Sequence, residues 1–417
     1  KAPYNWTSFI AYRGLPNENA KINYTSDVPD RSKISKTGLN WPNDVPYSVA
    51  DLDRANRQTA NCKAKMETIQ FLYYIQNELK QPWSVADDEP YDTSYNRTTN
   101  SCANIPAEFK EIEARMPQMP YVREGRRGIG IKTITAKDLQ RDPVTKIAKR
   151  NFTSAIALGD MVFDLHACST DNTLETSLGE TSADSNGVTG NFQVQMESLI
   201  PQTVNGLIFA EKNISQSRLA NGATRLQPPI MLTGQAAGSL AAIAAKTNRQ
   251  ARAVKPIEVQ SQILNNKSAI ALNVFTDVPL THTDWRGVQL VNTYEIMNGY
   301  GNGFFGVNDA LTRGQAAVVL VRRFNLPLLT PLTATFADVP KTHQFYAYIE
   351  TIYRAGYTAG CGGSPLKFCP DTSVTRGQFA VFLARGLGYV PPTSLPSPAP
   401  QPFSDVPTTH PFYNYIT

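Results

Sequence analysis

Charge is scarce in this 417-residue chain, with Asp, Glu, Lys and Arg together making up 18%, below the usual share of about 25%. The net charge of +5 is too small for this length to mark a nucleic-acid surface. Nor is it concentrated, since positions 273–417 hold nine basic and eight acidic side chains. Long apolar runs are missing as well. The longest run of small apolar residues, Gly234 to Ala245, falls well short of the ~20 residues of a membrane span. The five cysteines contain no C-x-x-C pair, which removes the spacing expected of zinc and redox sites. No G-x-G-x-x-G loop follows a predicted strand, so the usual phosphate loop of a dinucleotide fold is absent. The chain opens on Lys1 without a signal-like segment and stops at Thr417 inside a repeat. It is expected to be a piece of something longer, cut at both ends.

What is present describes a folded protein. Hydrophobic residues reach 41% and aromatics 10%, more than a disordered chain carries. The length suggests about two to three domains, with ample chain for a sizeable core. Cys361 and Cys369 flank the Gly-rich loop CGGSPLKFC, which suits either a short disulfide in an oxidising compartment or two free thiols. Cys62 and Cys102 could form a second bridge, and Cys168 is expected to be a buried thiol. N-x-S/T sequons begin at Asn5, Asn23, Asn96, Asn151, Asn213 and Asn266, and mark surface only where the source glycosylates.

The carboxyl third repeats itself. Phe275-Thr-Asp-Val-Pro-Leu-Thr-His282 returns at Phe336–His343 and again at Phe403–His410, offsets of 61 and 67 residues. Thr312-Arg-Gly-Gln315 returns 63 residues later as Thr375-Arg-Gly-Gln378. Within a unit, Tyr348, Ile349, Ile352 and Tyr353 form a helical stripe that ends near Gly356. A Gly-rich loop follows, and then Thr375 and Gln378 spell a capping box for a second helix. Phe379, Phe382, Leu383 and Leu387 supply that helix's buried face. The same box at Thr312 opens a helix reaching Phe324. Two helices cannot bury their faces alone, so the units must pack together. His282, His343 and His410 recur at one position. With no Cys or acidic partner at ligand spacing except the turn Asp, they read as turn residues rather than a metal ring, and no metal site is expected.

These residues resemble S-layer homology repeats of bacterial surface proteins, over about 273–417. The resemblance implies a bacterial cell-wall or S-layer location and binding of secondary cell-wall polysaccharide through Thr312, Arg313, Thr375 and Arg376. An arginine beside free N–H groups at a helix start suits an anionic sugar substituent. The alternative is that Thr and Gln only cap the helix while Arg is solvated. Gly at the position after each T-R is a mild departure from the family pattern.

Positions 1–272 are loop-rich by comparison. A helix is expected from Cys62 to Lys80, followed by a solvated loop, Trp83–Glu89, whose Asp87, Asp88 and Glu89 are too close in sequence to stand as a glycosidase pair. Pro120-Tyr-Val-Arg-Glu-Gly-Arg-Arg127 is densely charged. Ala155-Ile-Ala-Leu-Gly-Asp160 leads to Asp164-Leu-His166. Val204–Ala210 reads as a strand ending in Glu211-Lys-Asn213-Ile-Ser215, before Arg225-Leu-Gln227-Pro-Pro. Gly234-Gln-Ala-Ala-Gly238 is expected to open a helix whose bare N–H groups suit a flavin or a phosphate, or which merely packs tightly on a sheet.

Taken in order, Y-V-R-E-G-R-R, I-A-L-G-D, N-I-S, R-x-Q-P and G-Q-A-A-G resemble the carboxyl half of the FAD-dependent oxidoreductase family. Lys36-Thr-Gly-Leu-Asn-Trp-Pro-Asn-Asp44 looks like its substrate-domain region. The resemblance covers roughly 1–265. It implies an FAD cofactor contacted by Asn213, Ser215, Gln227, Gly234, Gln235 and Ala236. His166 and Arg123 become catalytic candidates, each set against a structural role, as are Arg126 and Arg127 beside Glu124. Two departures stand out. The amino half with its glycine loop is missing, and Ala210-Glu211-Lys212 replaces the family's Ala-Gly-Arg, placing a carboxylate near the cofactor's phosphates.

The expected fold class is α+β. A partial oxidoreductase fold over 1–272, with substrate-type sheet and helix layers, joins an all-α repeat domain with units at 273–334, 335–394 and 395–417. Two functions remain open: a surface-anchored FAD-dependent oxidoreductase-like protein, or a cofactor-free S-layer or assembly protein. Expected partners are wall polysaccharide and either an amino-terminal flavoprotein fragment or further copies of the chain. Nucleic acid is not expected.

Overall fold

The computed structural model describes residues 48, 50–78, 80, 84–85, 91–120, 122, 124–165, 173–391 and 402–417. His166, Arg123, Cys168, the 36–44 motif and most of the 83–89 loop lie outside these residues. The chain divides into two compact units, one of residues 1–126 and 164–173, the other of 127–163 and 174–417. Helices predominate among the described residues, and the one sheet there has two strands. None of their helices is long and apolar enough to cross a membrane.

The first unit is organised by α1, Arg57–Asn77, which begins five residues before the expected start at Cys62. It cannot run on to Lys80, whose φ of 54° is left-handed. Ile69 of α1 packs with Cys102, Ile105 and Met116. Cys62 is bridged to Cys102 with a Cα–Cα distance of 5.4 Å. Beneath the bridge, the buried Glu113 accepts hydrogen bonds from the Cys102 N–H at 2.7 Å and Lys110 Nζ at 2.8 Å. Lys65 Nζ approaches the same carboxylate at 3.4 Å. A buried carboxylate is tolerable only with such donors. Asn96 is equally committed, its Nδ2 donating to the carbonyls of Tyr91, Ala114 and Met116. This sequon asparagine is buried and cannot carry a glycan.

In the second unit, β1 (Ala155–Gly159) pairs antiparallel with β2 (Phe192–Gln195), Gly159 opposite Phe192. The Phe192 ring lies where a Cβ on Gly159 would stand, 2.4 Å from it, so only glycine fits at this end of β1. Three helices follow: α2 (Arg218–Thr224), α3 (Gln227–Lys246) and α4 (Pro256–Asn265). Ser217 caps α2 by accepting from the Ala220 N–H at 3.0 Å. Ala236, Ala237 and Leu240 of α3 and Val259, Ile263 and Leu264 of α4 bury against the sheet residues Ala155, Ile156, Phe192 and Val194. The stretch expected as a strand, 204–210, forms none. Gly206 turns the chain at φ 73°, and a half-buried Phe209 ring instead covers Gly128.

The core does not stop at residue 272. Phe275, Val278, Trp285 and Val288 belong to the same cluster as β1, β2, α3 and α4. Buried glutamines stitch the two regions. Gln289, on α5 (Trp285–Thr293), accepts the Ile270 and Ala271 N–H groups at 2.9 and 3.0 Å. Gln193 Nε2 donates to the Ile270 carbonyl at 2.7 Å. Gln260 Nε2 reaches the Ala155 carbonyl at 3.0 Å, while its Oε1 accepts the Tyr294 hydroxyl, also at 3.0 Å.

The repeats continue with α6 (Arg313–Phe324), α7 (Tyr346–Arg354), α8 (Arg376–Gly386) and α9 (Tyr413–Ile416). Ile349 and Ile352 of the predicted stripe are fully buried against Ala316, Ala317 and Leu320 of α6. Gly356 turns the chain after α7 at φ 78°.

Candidate functional site

The two T-R helix starts are built alike. At each, the Thr hydroxyl accepts the N–H of the Gln three residues on, and that Gln returns a bond to the Thr N–H. Both predicted capping boxes are therefore formed. Arg313, however, is only 4% exposed. Its Nε donates to the Phe368 carbonyl at 2.8 Å. The guanidinium lies over the Phe368 ring at 4.8 Å and the Phe382 ring at 5.4 Å, cation–π contacts that arginine makes more often than lysine. Burial pulls Arg313 below the usual guanidinium range, with Asp338 opposing. Its Nη2 is buried without a hydrogen-bond partner.

The first turn of α6 is consumed in the same way. The Arg313 and Gly314 N–H groups donate to the Thr372 and Pro370 carbonyls at 2.9 and 2.8 Å. The amides expected to face a sugar substituent are satisfied instead by the loop of the next repeat. Thr375 and Arg376 are exposed at the start of α8.

The glycine after each T-R now has a reason. A Cβ on Gly314 would lie 2.4 Å from the Phe345 ring, and one on Gly377 would lie 3.1 Å from Phe412. Each glycine admits the phenylalanine that follows the next repeat's histidine. The histidines are turn residues, as expected: His343 Nδ1 accepts the Phe345 N–H at 3.2 Å and His410 Nδ1 the Phe412 N–H at 3.1 Å.

The F-x-D-V aspartates act on the loops. Asp277 accepts from Phe305, Gly306 and Val307 N–H groups at 2.8, 2.7 and 3.3 Å, and these donors hold its carboxyl below the usual range. Asp338 takes Phe368 and Cys369 in the same way, at 2.8 and 2.7 Å. The sequence signal for this role was the recurrence of Asp itself. Phe368, Phe345 and Phe412 as partners of the helix starts had no such signal, because they belong to neighbouring repeats.

Cys361 and Cys369 are disulfide-bonded, Cα–Cα 6.1 Å. In the first repeat Tyr300 and Gly306 hold the matching places, with the Tyr300 ring 2.4 Å from a Cβ built on Gly306. Gly306 and Cys369 share a left-handed backbone, φ 78° and 60°. The second repeat has exchanged an aromatic-on-glycine contact for a covalent bridge.

The expected cofactor residues do not converge as a cradle. Ser215 and Ala236 are buried, with Ser215 Oγ 2.9 Å from Thr133 Oγ. Gln235 Oε1 accepts Ser268 Oγ at 2.7 Å. Asn213 and Gln227 are exposed. Gly234 does not open a helix. It lies seven residues inside α3, so its N–H belongs to the helix interior rather than to a free end. Arg126, a candidate for binding an anion, is exposed and pairs with Asp53.

Residues 7–263 match the family model for FAD dependent oxidoreductase, and residues 274–317 and 335–380 match the S-layer homology domain. The chain belongs to the FAD dependent oxidoreductase family. Several relatives are named as bacterial surface proteins. A cell surface protein of Thermoanaerobacter kivui is 29% identical over 123 residues, 28% of this chain and 16% of that protein. The middle cell wall protein of Brevibacillus brevis is 29% identical over 107 residues, 25% and 10% of the two chains. The S-layer protein EA1 of Bacillus anthracis is 26% identical over 141 residues, 33% and 16%. The chain thus spans less than a fifth of the length of these relatives. The repeats and these likenesses place the protein at the bacterial cell wall or surface.

Membership of the FAD dependent oxidoreductase family implies FAD, and the described residues can be tested against it. The start of α3 would have to serve the phosphates, yet Pro228 and Pro229 occupy its first turn and lack N–H groups. The Ile230 N–H is already bonded to Leu226. Gln227 alone retains a free-end amide, too little for a pyrophosphate. The spacing Gly301-x-Gly303-x-x-Gly306 lies in a repeat loop and opens no helix after a strand. These residues do not by themselves fit the dinucleotide, and no chemical step is derived through it. Glu211 is less of an obstacle than its sequence suggested. It is exposed, so no buried carboxylate arises, and its φ of 54° is the left-handed backbone a glycine adopts freely.

Gly314→Ala is expected to lower the melting temperature, an overpacking cost of about 1–3 kcal/mol exceeding the helix-propensity gain. Gly377→Ala, with more room, should be neutral or stabilising. Thermal unfolding followed by circular dichroism measures both, and equal effects would remove the proposed steric difference.

Proposed function

We propose that the protein is a wall-anchored member of its family, holding an oxidoreductase-type domain at the cell surface through contacts between its repeats and wall polysaccharide. The supporting observation is the match of residues 274–317 and 335–380 to the S-layer homology domain, with a formed capping box at the T-R helix start of each unit. Of the four residues expected to touch polysaccharide, this reading assigns the contact to Thr375 and Arg376, a guanidinium at a helix start offered to an anionic sugar substituent. Thr312 and Arg313 serve mainly the packing of one repeat on the next. Flavin chemistry, on this reading, needs a phosphate loop supplied by a further polypeptide segment, and His166 and Arg123 stand as its catalytic candidates. A cofactor-free surface module is the second reading, favoured by the two prolines at the start of α3.

Pull-down with purified wall polysaccharide tests the anchor. Arg376→Ala should weaken binding at least about tenfold at unchanged melting temperature, and undiminished binding would refute the assigned contact. Titration of the chain with FAD, followed by flavin fluorescence, should give no saturable binding at micromolar flavin. Tight stoichiometric binding would overturn the need for a further segment.

A further inference from the structure

We propose that Cys361–Cys369 is a thiol-exchange site, and that opening it releases Arg313 from the repeat interface as an accessible anion-binding guanidinium. The bridge closes the loop that carries Phe368, whose carbonyl and ring hold Arg313. Cys361 is exposed and Cys369 partly buried, so an external thiolate can reach the Cys361 sulfur. Cys369 sits in the left-handed region, where a side chain is disfavoured and where the first repeat uses Gly306. The covalent link supports a backbone that the residue type disfavours. Without it the position of Phe368 rests on the Cys361–Lys367 and Lys367–Gly362 backbone bonds, the Asp338 contacts and its own buried ring, and the proposal is that these do not hold the loop against Arg313 once the bridge is open. Arg313 already has a buried Nη2 without a partner, so losing the Phe368 carbonyl leaves its guanidinium no hydrogen bond in the interface.

The chemistry balances with a dithiol as reductant. Its first thiolate attacks Cys361 Sγ, the S–S bond breaks, and Cys369 departs as a thiolate. Its second thiol resolves the mixed disulfide. One dithiol is oxidised to a disulfide as the two cysteines become thiols. In the second bridge, Cys62–Cys102, Cys62 is only partly exposed and Cys102 is 1% exposed, against the exposed Cys361, so it should open later.

The test uses the full chain, graded dithiothreitol, alkylation of freed thiols, and the arginine reagent phenylglyoxal, read by peptide mass spectrometry. Cys361 and Cys369 should alkylate at dithiothreitol levels that leave Cys62–Cys102 closed. Arg313 should then react at least about tenfold faster, the local opening of one loop. Exposed Arg376 should react alike in both states, and buried Arg225 should stay protected. A Cys361→Ala/Cys369→Ala variant, with the other bridge intact, should show the same Arg313 exposure without reductant. The proposal is overturned if Arg313 stays protected in the reduced chain and the variant. It is also overturned if the bridge opens no earlier than Cys62–Cys102, or if Arg225 loses protection together with Arg313, which would mean general unfolding.

Discussion

The repeat region depends on one guanidinium. A two-helix unit leaves an apolar face uncovered, and each unit must find its cover in the next. Arg313 fixes how that happens. It is the first residue of α6, yet its partners are Phe368 in the following loop and Phe382 on α8. Desolvated cation–π contacts are worth about 2 kcal/mol, and a buried charge stripped of its partner costs about 3–5 kcal/mol. The register between repeats is therefore set by a residue that resemblance alone would assign to ligand binding.

Much of this was legible in the sequence, and the illegible part has a common cause. Capping boxes, helical stripes and turn histidines are local, so the spacing of Thr312 and Gln315 or of Ile349 and Ile352 was enough. The fate of Arg313 was not local. Its burial is set by Phe368, 55 residues further along in the loop of the next repeat. The same holds for α3. Gly-Gln-Ala-Ala-Gly looks like a helix opening because small residues suit close approach, but Pro228 and Pro229 preset the first turn seven residues earlier. The strand expected at 204–210 failed because Gly206 turns the chain and Phe209 is spent on Gly128. Glu211 looked wrong as a buried charge, whereas the relevant variable was its backbone conformation.

The region before residue 273 and the first repeat share apolar core and buried glutamine bonds. A glutamine whose amide spans two segments cannot be removed from one side without stranding donors on the other. The surface anchor is thus continuous with the fold it carries. An exchange of Tyr300 and Gly306 for two cysteines shows how far the repeats can vary while keeping the same left-handed corner.

The central claim, that Arg313 is an internal clasp rather than an open ligand contact, is tested most directly by the melting temperature of Arg313→Lys. Lysine keeps the charge but loses the guanidinium over the rings and the fixed Nε donor. The account predicts a fall on the order of 5–10 °C with the proposed polysaccharide contact at Arg376 retained at temperatures where the variant is folded. An unchanged melting temperature accompanied by weakened polysaccharide binding would contradict it.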